Sequence, residues 1–113
     1  MREIVEFFGA KKIIFKSLKQ IPVSTLNSRK KVNIYLGVNL KGFYCTVFHI
    51  SKSSRVLKKE VLEFEELHAR LEALNDSKIK IKYIIINAPL CSKAKALFEE
   101  LGWEVWQVQG NVY

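Results

Sequence analysis

The sequence predicts an α/β domain: a mixed five-stranded sheet with its elements in the order β-β-β-α-β-α-β, preceded by a basic N-terminal helical extension. Three observations carry the prediction. From residue 32 onward, β-rich runs follow one another across turns of three or four residues, and links that short can join only antiparallel neighbours. Beyond residue 64 the apolar period changes from two to about 3.6, and strands then alternate with helical patterns, as in parallel sheets with crossover helices. Positive charge gathers in the first third: residues 1–32 hold eight Lys/Arg against two Glu, out of 19 Lys/Arg and 11 Asp/Glu overall. The chain therefore divides into an extension over 1–31 and an α/β domain over 32–113.

In the first segment Ile4, Phe8, Phe15, Leu18 and Ile21 recur at helical spacing, broken near Gly9, with Lys11, Lys12, Lys16 and Lys19 largely on the opposite side. A strand over Lys12 to Phe15 is the competing reading, because "KIIF" is β-prone. Pro22 stops the element, since the residue before a proline is forced out of the helical region. The run "VSTLNSRKK" is a polar connector ending in a basic cluster. "VNIYLGV" (32–38) is the first strand, with Val32, Ile34, Leu36 and Val38 on one face. "LKG" (40–42) is a tight turn in which Gly42 can take positive φ, and "FYCTVFHI" (43–50) returns as the second strand. After "SKSS", "RVLKKEVLEF" (55–64) is expected as the third.

A helix follows, with Phe64, Leu67, Leu71 and Leu74 on one stripe and Glu63, Glu65 and Glu66 in its first turn, where the helix dipole favours them. "NDSK" ends it. "IKIKYIIIN" (79–87) turns fully apolar toward its end, as a strand covered on both faces does. Ser92 and Gly102 bracket a second helix as N-cap and C-terminal stop, and "WEVWQV" (103–108) is the last strand before the tail "QGNVY".

The totals limit function. A pI near 9.6 and a net charge of +8 point to a polyanionic partner, nucleic acid or an anionic membrane surface. No apolar run is long enough to span a bilayer, no secretory signal is evident, and two cysteines do not make a disulfide framework, so a cytoplasmic protein is expected. No cofactor motif and no glycine-rich phosphate loop is present.

Two strands run into an asparagine where many enzymes place a carboxylate. "YLGVNLKGFYCTVFHI" (35–50) is similar to the opening hairpin of the ribonuclease-H-like superfamily, in which a glycine-hydrophobic-aspartate step ends the first strand. "IIINAPL" (84–90) resembles a later strand of some of these nucleases, ending in an acid, a small residue and proline. The resemblance covers residues 33–108 and implies a nuclease-like fold with several carboxylates around Mg²⁺. This chain has Asn39 and Asn87 at the two matching positions, and its one aspartate, Asp76, lies in a connection. An amide oxygen brings no charge to a hard cation, so the pair reads as a degenerate strand-end site. Restriction-endonuclease-like domains also run helix, three strands, helix, strand, with an acid ending one strand and an acid-x-lysine pair in the next. "KKEVLEFEE" (58–66) offers Glu60-x-Leu62 and Glu63-x-Glu65, both without the lysine.

Other candidates are structural or secondary. His49 and His68 have no Asp or Cys at ligand spacing, so no metal site is expected. Cys45 and His49, four apart on one strand face, stand roughly 13 Å apart, too far for proton transfer. Cys91 precedes a helix N-terminus beside Lys93 and Lys95, a setting that lowers a thiol pKa, or else it packs the turn. Trp103, Trp106 and Tyr113 can stack bases, although Trp103 and Trp106 point to opposite faces. Glu63, Glu65, Glu66 and Glu72 read as a solvated helix face.

The constellation that carries function is basic: Lys11, Lys12, Lys16, Lys19, Arg29, Lys30 and Lys31, a set able to track phosphates without reading sequence. The expectation is a non-catalytic, sequence-independent nucleic-acid-binding domain of nuclease-like fold. The alternatives are an adaptor or assembly protein docking on a partner protein or an anionic membrane through its N-terminal amphipathic segment, and a metal-dependent nuclease with an unrecognised site.

Overall fold

A computed structural model describes residues 2–109. Its elements are α1 (Arg2–Ala10), β1 (Phe15–Ile21), a 3₁₀ turn (Val23–Leu26), β2 (Asn33–Asn39), β3 (Tyr44–Ser51), α2 (Lys58–Asn75), β4 (Ile81–Asn87), α3 (Ser92–Glu100) and β5 (Trp103–Gln109). The five strands form one sheet in the order β1-β2-β3-β4-β5. β1, β2 and β3 pair antiparallel, whereas β4 and β5 add in parallel through the crossovers that contain α2 and α3. The fold class and element order are those expected from the sequence. The last tail residues and Tyr113 lie outside the described part.

The sheet is covered on both faces. On one, Val61, Phe64, Leu67 and Leu71 of α2 and Ala94 and Phe98 of α3 bury Ile34, Phe48, Ile84, Ile86 and Trp103. On the other, Ile4 and Phe8 of α1 bury Tyr35, Val47 and Ile85, with Phe15, Leu18, Tyr83 and Trp106 around them. Phe8 is fully buried, its ring 4.9 Å from Phe15, 5.2 Å from Tyr83 and 5.4 Å from Trp106, each edge-to-face. That geometry sets ring edges against ring faces, the favoured arrangement of aromatic quadrupoles. Trp103 and Trp106 do point to opposite faces.

Two segments differ from expectation. Helix forms over residues 2–10 only: Lys12 takes a left-handed φ of 61°, Lys12 N–H donates to Gly9 O at 3.0 Å, and Ile13 N–H donates to Phe8 O at 2.9 Å, which closes the helix. The stripe Phe15, Leu18, Ile21 belongs to a strand, the sheet edge β1. A bulge between Phe15 and Ser17 shifts the register, so Phe15 and Leu18 reach the same face although they are three apart. The segment expected as an extension thus supplies a covering helix and an edge strand, and the apolar residues assigned to a membrane or partner, Ile4 and Phe8 foremost, lie in the core.

The second difference is the segment 55–64, expected as a strand, which enters helix at Lys58. Its buried positions are Val61, Phe64, Leu67, His68 and Leu71, a helical spacing, and Glu60 accepts the Leu57 N–H at 3.4 Å. Glu63, Glu65 and Glu66 therefore fall beyond the first turn. Leu74, placed on the buried stripe, is 55% exposed. The third strand of the antiparallel set is supplied from the N-terminal side, by β1.

Candidate nucleic-acid interface

Asn39 ends β2 at the lower end of the sheet, where β1 begins, and its amide belongs to the turn that follows. Asn39 Oδ1 accepts the backbone N–H of Lys41 at 3.0 Å and of Phe43 at 2.9 Å. Its backbone N–H donates to Phe43 O at 2.9 Å, and Gly42 (φ 86°) donates to Asn39 O at 3.0 Å. An asparagine that folds onto its own turn in this way makes a hairpin corner. Asn87 ends β4 at the opposite, upper end, in register with Ser51 and donating through Nδ2 to Ser51 Oγ at 3.3 Å. The seven steps of β3 separate these ends by about 23 Å at 3.3 Å per residue. Asn39 and Asn87 are not parts of one site.

The upper end holds a polar cluster that sequence reasoning missed. Asn33, which opens β2, lies directly across the ladder from His49 of β3; Asn33 Nδ2 and His49 Nδ1 are 3.5 Å apart, and Gln20 Nε2 donates to Asn33 Oδ1 at 3.5 Å. Ser51 follows His49 on the same face, next to Asn87. His49, Ser51 and Asn87 line a cleft of about 310 Å³ together with Ile4, Phe7, Ile85 and Val108. The signal was present in "KVNIY" and "FHIS". The segment 58–66, expected as a strand that could carry an acid-x-lysine pair, is helix.

The described members of this cluster include no carboxylate. Three amides, a hydroxyl and an imidazole are poor partners for Mg²⁺, which binds through anionic oxygens. Among the described residues no three His, Cys, Asp or Glu side chains group as ligands. The described residues do not fit the metal.

The basic residues divide between the two ends. Lys11 and Lys12 close α1, Lys16 opens β1, Lys41 stands in the β2–β3 turn, and Lys78 and Lys80 lead into β4. All six are exposed, and none is ion-paired to an acid among the described residues. Lys19 lies midway along the edge strand, opposite Leu36. Arg29, Lys30 and Lys31 precede β2 at the upper end. Of these, Lys30 donates to Glu63 at 2.9 Å and lies 4.9 Å from the Phe64 ring centroid, so it braces the 3₁₀ connection against α2. The expected set is therefore two groups, and the lower one is enlarged by three lysines from later in the chain.

The α2 acids are engaged rather than simply solvated. Glu65 accepts from Lys82 Nζ at 3.0 Å and Trp103 Nε1 at 3.1 Å. Glu72 takes the Ile79 N–H at 2.7 Å, and Glu66 pairs with Arg70 at 2.7 Å. Lys30 holds the Glu63 carboxyl below its ordinary range. His68 is buried, with Nε2 3.1 Å from Ile79 O, and burial lowers its pKa. Burial raises the Cys45 thiol. Cys91 caps α3, and the N–H groups of Ala94 and Lys93 lower its pKa.

No protein-family model matches this chain, and no curated protein matches it in sequence. Solved structures share its fold. EndoMS in its apo form superposes with a TM-score of 0.59 at 16% identity, over 97% of this chain and 46% of that one. A repair endonuclease from Pyrococcus abyssi gives 0.55 at 16%, over 96% and 45%. EndoMS in complex with double-stranded DNA gives 0.55 at 17%, over 96% and 43%. This chain spans less than half the length of each. At such identity the likeness establishes a fold of the nuclease type.

Proposed function

We propose that this chain is a non-catalytic, sequence-independent nucleic-acid-binding domain built on a nuclease-like fold. The observation that carries the reading is the lower group Lys11, Lys12, Lys16, Lys41, Lys78 and Lys80, drawn from three parts of the chain to one end of the sheet with no acidic partner among the described residues. Charges left unneutralised by the protein are available to phosphates, and each phosphate contact releases condensed counterions. The fold is one that EndoMS, known with double-stranded DNA bound, also uses. The element order helix, three strands, helix, strand favours the restriction-endonuclease-like arrangement over the ribonuclease-H-like one, because a strand precedes the hairpin read as the opening one. In that arrangement Asn33, His49 and Ser51 stand where catalysis needs charge, so the domain binds without cutting.

Gel shifts with a random-sequence duplex at 50 and 200 mM salt test the reading. About six phosphate contacts predict a loss of roughly a thousandfold in affinity between the two conditions. Absence of a shift at the lower salt removes the proposal.

A further inference from the structure

The β2–β3 turn and the first residue of β3 expose more apolar surface than a turn requires. Leu40 is 66% exposed, Phe43 60% and Tyr44 41%, in a position where polar residues ordinarily suffice. The turn is also rigidly held. Phe43 donates its N–H to Asn39 Oδ1 and accepts the Asn39 N–H on its carbonyl, so both of its backbone groups are fixed. Beside it opens a cleft of about 460 Å³ lined by Gly42, Phe43, Tyr44, Lys78, Lys80 and Ile81. Two of those six residues are lysines and none is acidic, and Lys41 flanks the rim.

We propose that this cleft is a stacking subsite for unpaired bases of a single-stranded nucleic acid, with Phe43 and Tyr44 as the platform and Lys41, Lys78 and Lys80 meeting the phosphates. The inference rests on the nucleic-acid reading above and adds the form of strand that is recognised. Aromatic faces interleaved with ammonium groups suit a flexible strand, whose bases can leave their own stack while the backbone follows the positive charge. A duplex keeps its bases stacked inside and reaches only the lysines. An acidic peptide would use the ammonium groups and leave the rings unemployed. Across the lower end, the three strand spacings from β1 to β4 amount to about 14 Å, so Lys16 and Lys80 flank the turn on either side and extend the track beyond the cleft.

Fluorescence anisotropy on the full chain tests this, with a labelled oligothymidylate of about 15 nucleotides and the corresponding duplex, at low salt. The wild type is expected to bind the single strand more tightly. Phe43→Ala should weaken single-strand binding about tenfold or more and leave duplex binding within about twofold, while Phe43→Trp retains the preference. Because Phe43 is exposed, a circular-dichroism melt should show the variants folded. Equal affinities of wild type and Phe43→Ala, or equal losses on both probes, overturn the subsite. Displacement of the oligonucleotide by polyglutamate as effectively as by unlabelled strand also overturns it, as does Phe43-dependent binding to phosphatidylserine vesicles without Phe43-dependent binding to the strand. If neither nucleic-acid probe binds, the broader reading fails; if the duplex binds and Phe43 is indifferent, the subsite alone fails.

Discussion

Phe8→Ala is the sharpest test of how this chain is put together. Phe8 is fully buried and packs edge-to-face against Phe7, Phe15, Tyr83 and Trp106. Truncation removes a whole ring from between a helix and the sheet, and a change of that kind costs about 3–5 kcal/mol. A domain of this size has a total stability of about 5–15 kcal/mol, so the variant should lie near the margin. Its melting temperature should fall by about 10–25 °C, at several degrees per kcal/mol. Urea unfolding followed by tryptophan fluorescence gives the number directly, because Trp106 is in the same cluster. Val5→Ala is the control: Val5 is on the same helix but 53% exposed, and its replacement should stay within about 0.5 kcal/mol. A loss below about 1 kcal/mol for Phe8→Ala would show that α1 is a detachable segment and would refute the two-faced core described above.

Further outcomes follow from the same structure. A Cβ at Gly37 would stand 2.9 Å from Phe15 Cδ1 and 3.1 Å from Leu18 Cδ1, so Gly37→Val should cost about 1–3 kcal/mol by overpacking, measured by urea titration. His68 is buried with a lowered pKa and is faced by Glu65 and Glu72 of α2 and Lys82 of β4. Its neutral form is the one the fold favours. Its contribution is therefore fully present above the unfolded value of about 6.5, declines as pH falls below that value, and levels off once pH is under the folded pKa; urea midpoints at neutral and mildly acidic pH should show the decline, and His68→Gln should flatten it. Of the two thiols, Cys91 is partly exposed with a lowered pKa and Cys45 is buried with a raised one. Iodoacetamide on the native protein should accordingly label Cys91 alone, as peptide mass mapping will show. Introducing charge by Asn33→Asp with His49→Glu should create a response to Mn²⁺ that the wild type lacks, about 1.4 kcal/mol of added stability at ten times Kd, read as a thermal shift.

Much of the fold was legible because local pattern and tertiary role agree. The hairpin from Asn33 to Ser51 is rich in β-branched and aromatic residues and turns at Gly42, the all-apolar end of β4 is covered on both faces, and α3 stops at Gly102 (φ 91°). The failures come from sites where two periods coincide. The bulge after Phe15 puts residues three apart on one face, so β1 carried a helical stripe. In "VLKKEVLEF" the exposed Leu57 and Leu62 gave a helix the look of a strand. The polar cluster at the upper end is assembled by strand register, which no local pattern shows. The Asn33–His49 pairing exists only across the β2–β3 ladder. Likewise, nothing local says that Lys78 and Lys80 join Lys11, Lys12 and Lys16, since the sheet register alone brings them to one end.

The measurement closest to the central claim is a salt series of duplex binding in the presence of Mn²⁺, comparing the wild type with a triple variant, Lys11→Gln, Lys12→Gln and Lys16→Gln, and checking the recovered DNA on a denaturing gel. At about 0.9 per phosphate contact on a logarithmic salt axis, a slope near −5 is predicted for the wild type and one near −2 to −3 for the variant, with the DNA intact in both. Equal slopes, or nicked DNA in the wild-type lane, would contradict a domain that binds through these lysines and does not cut.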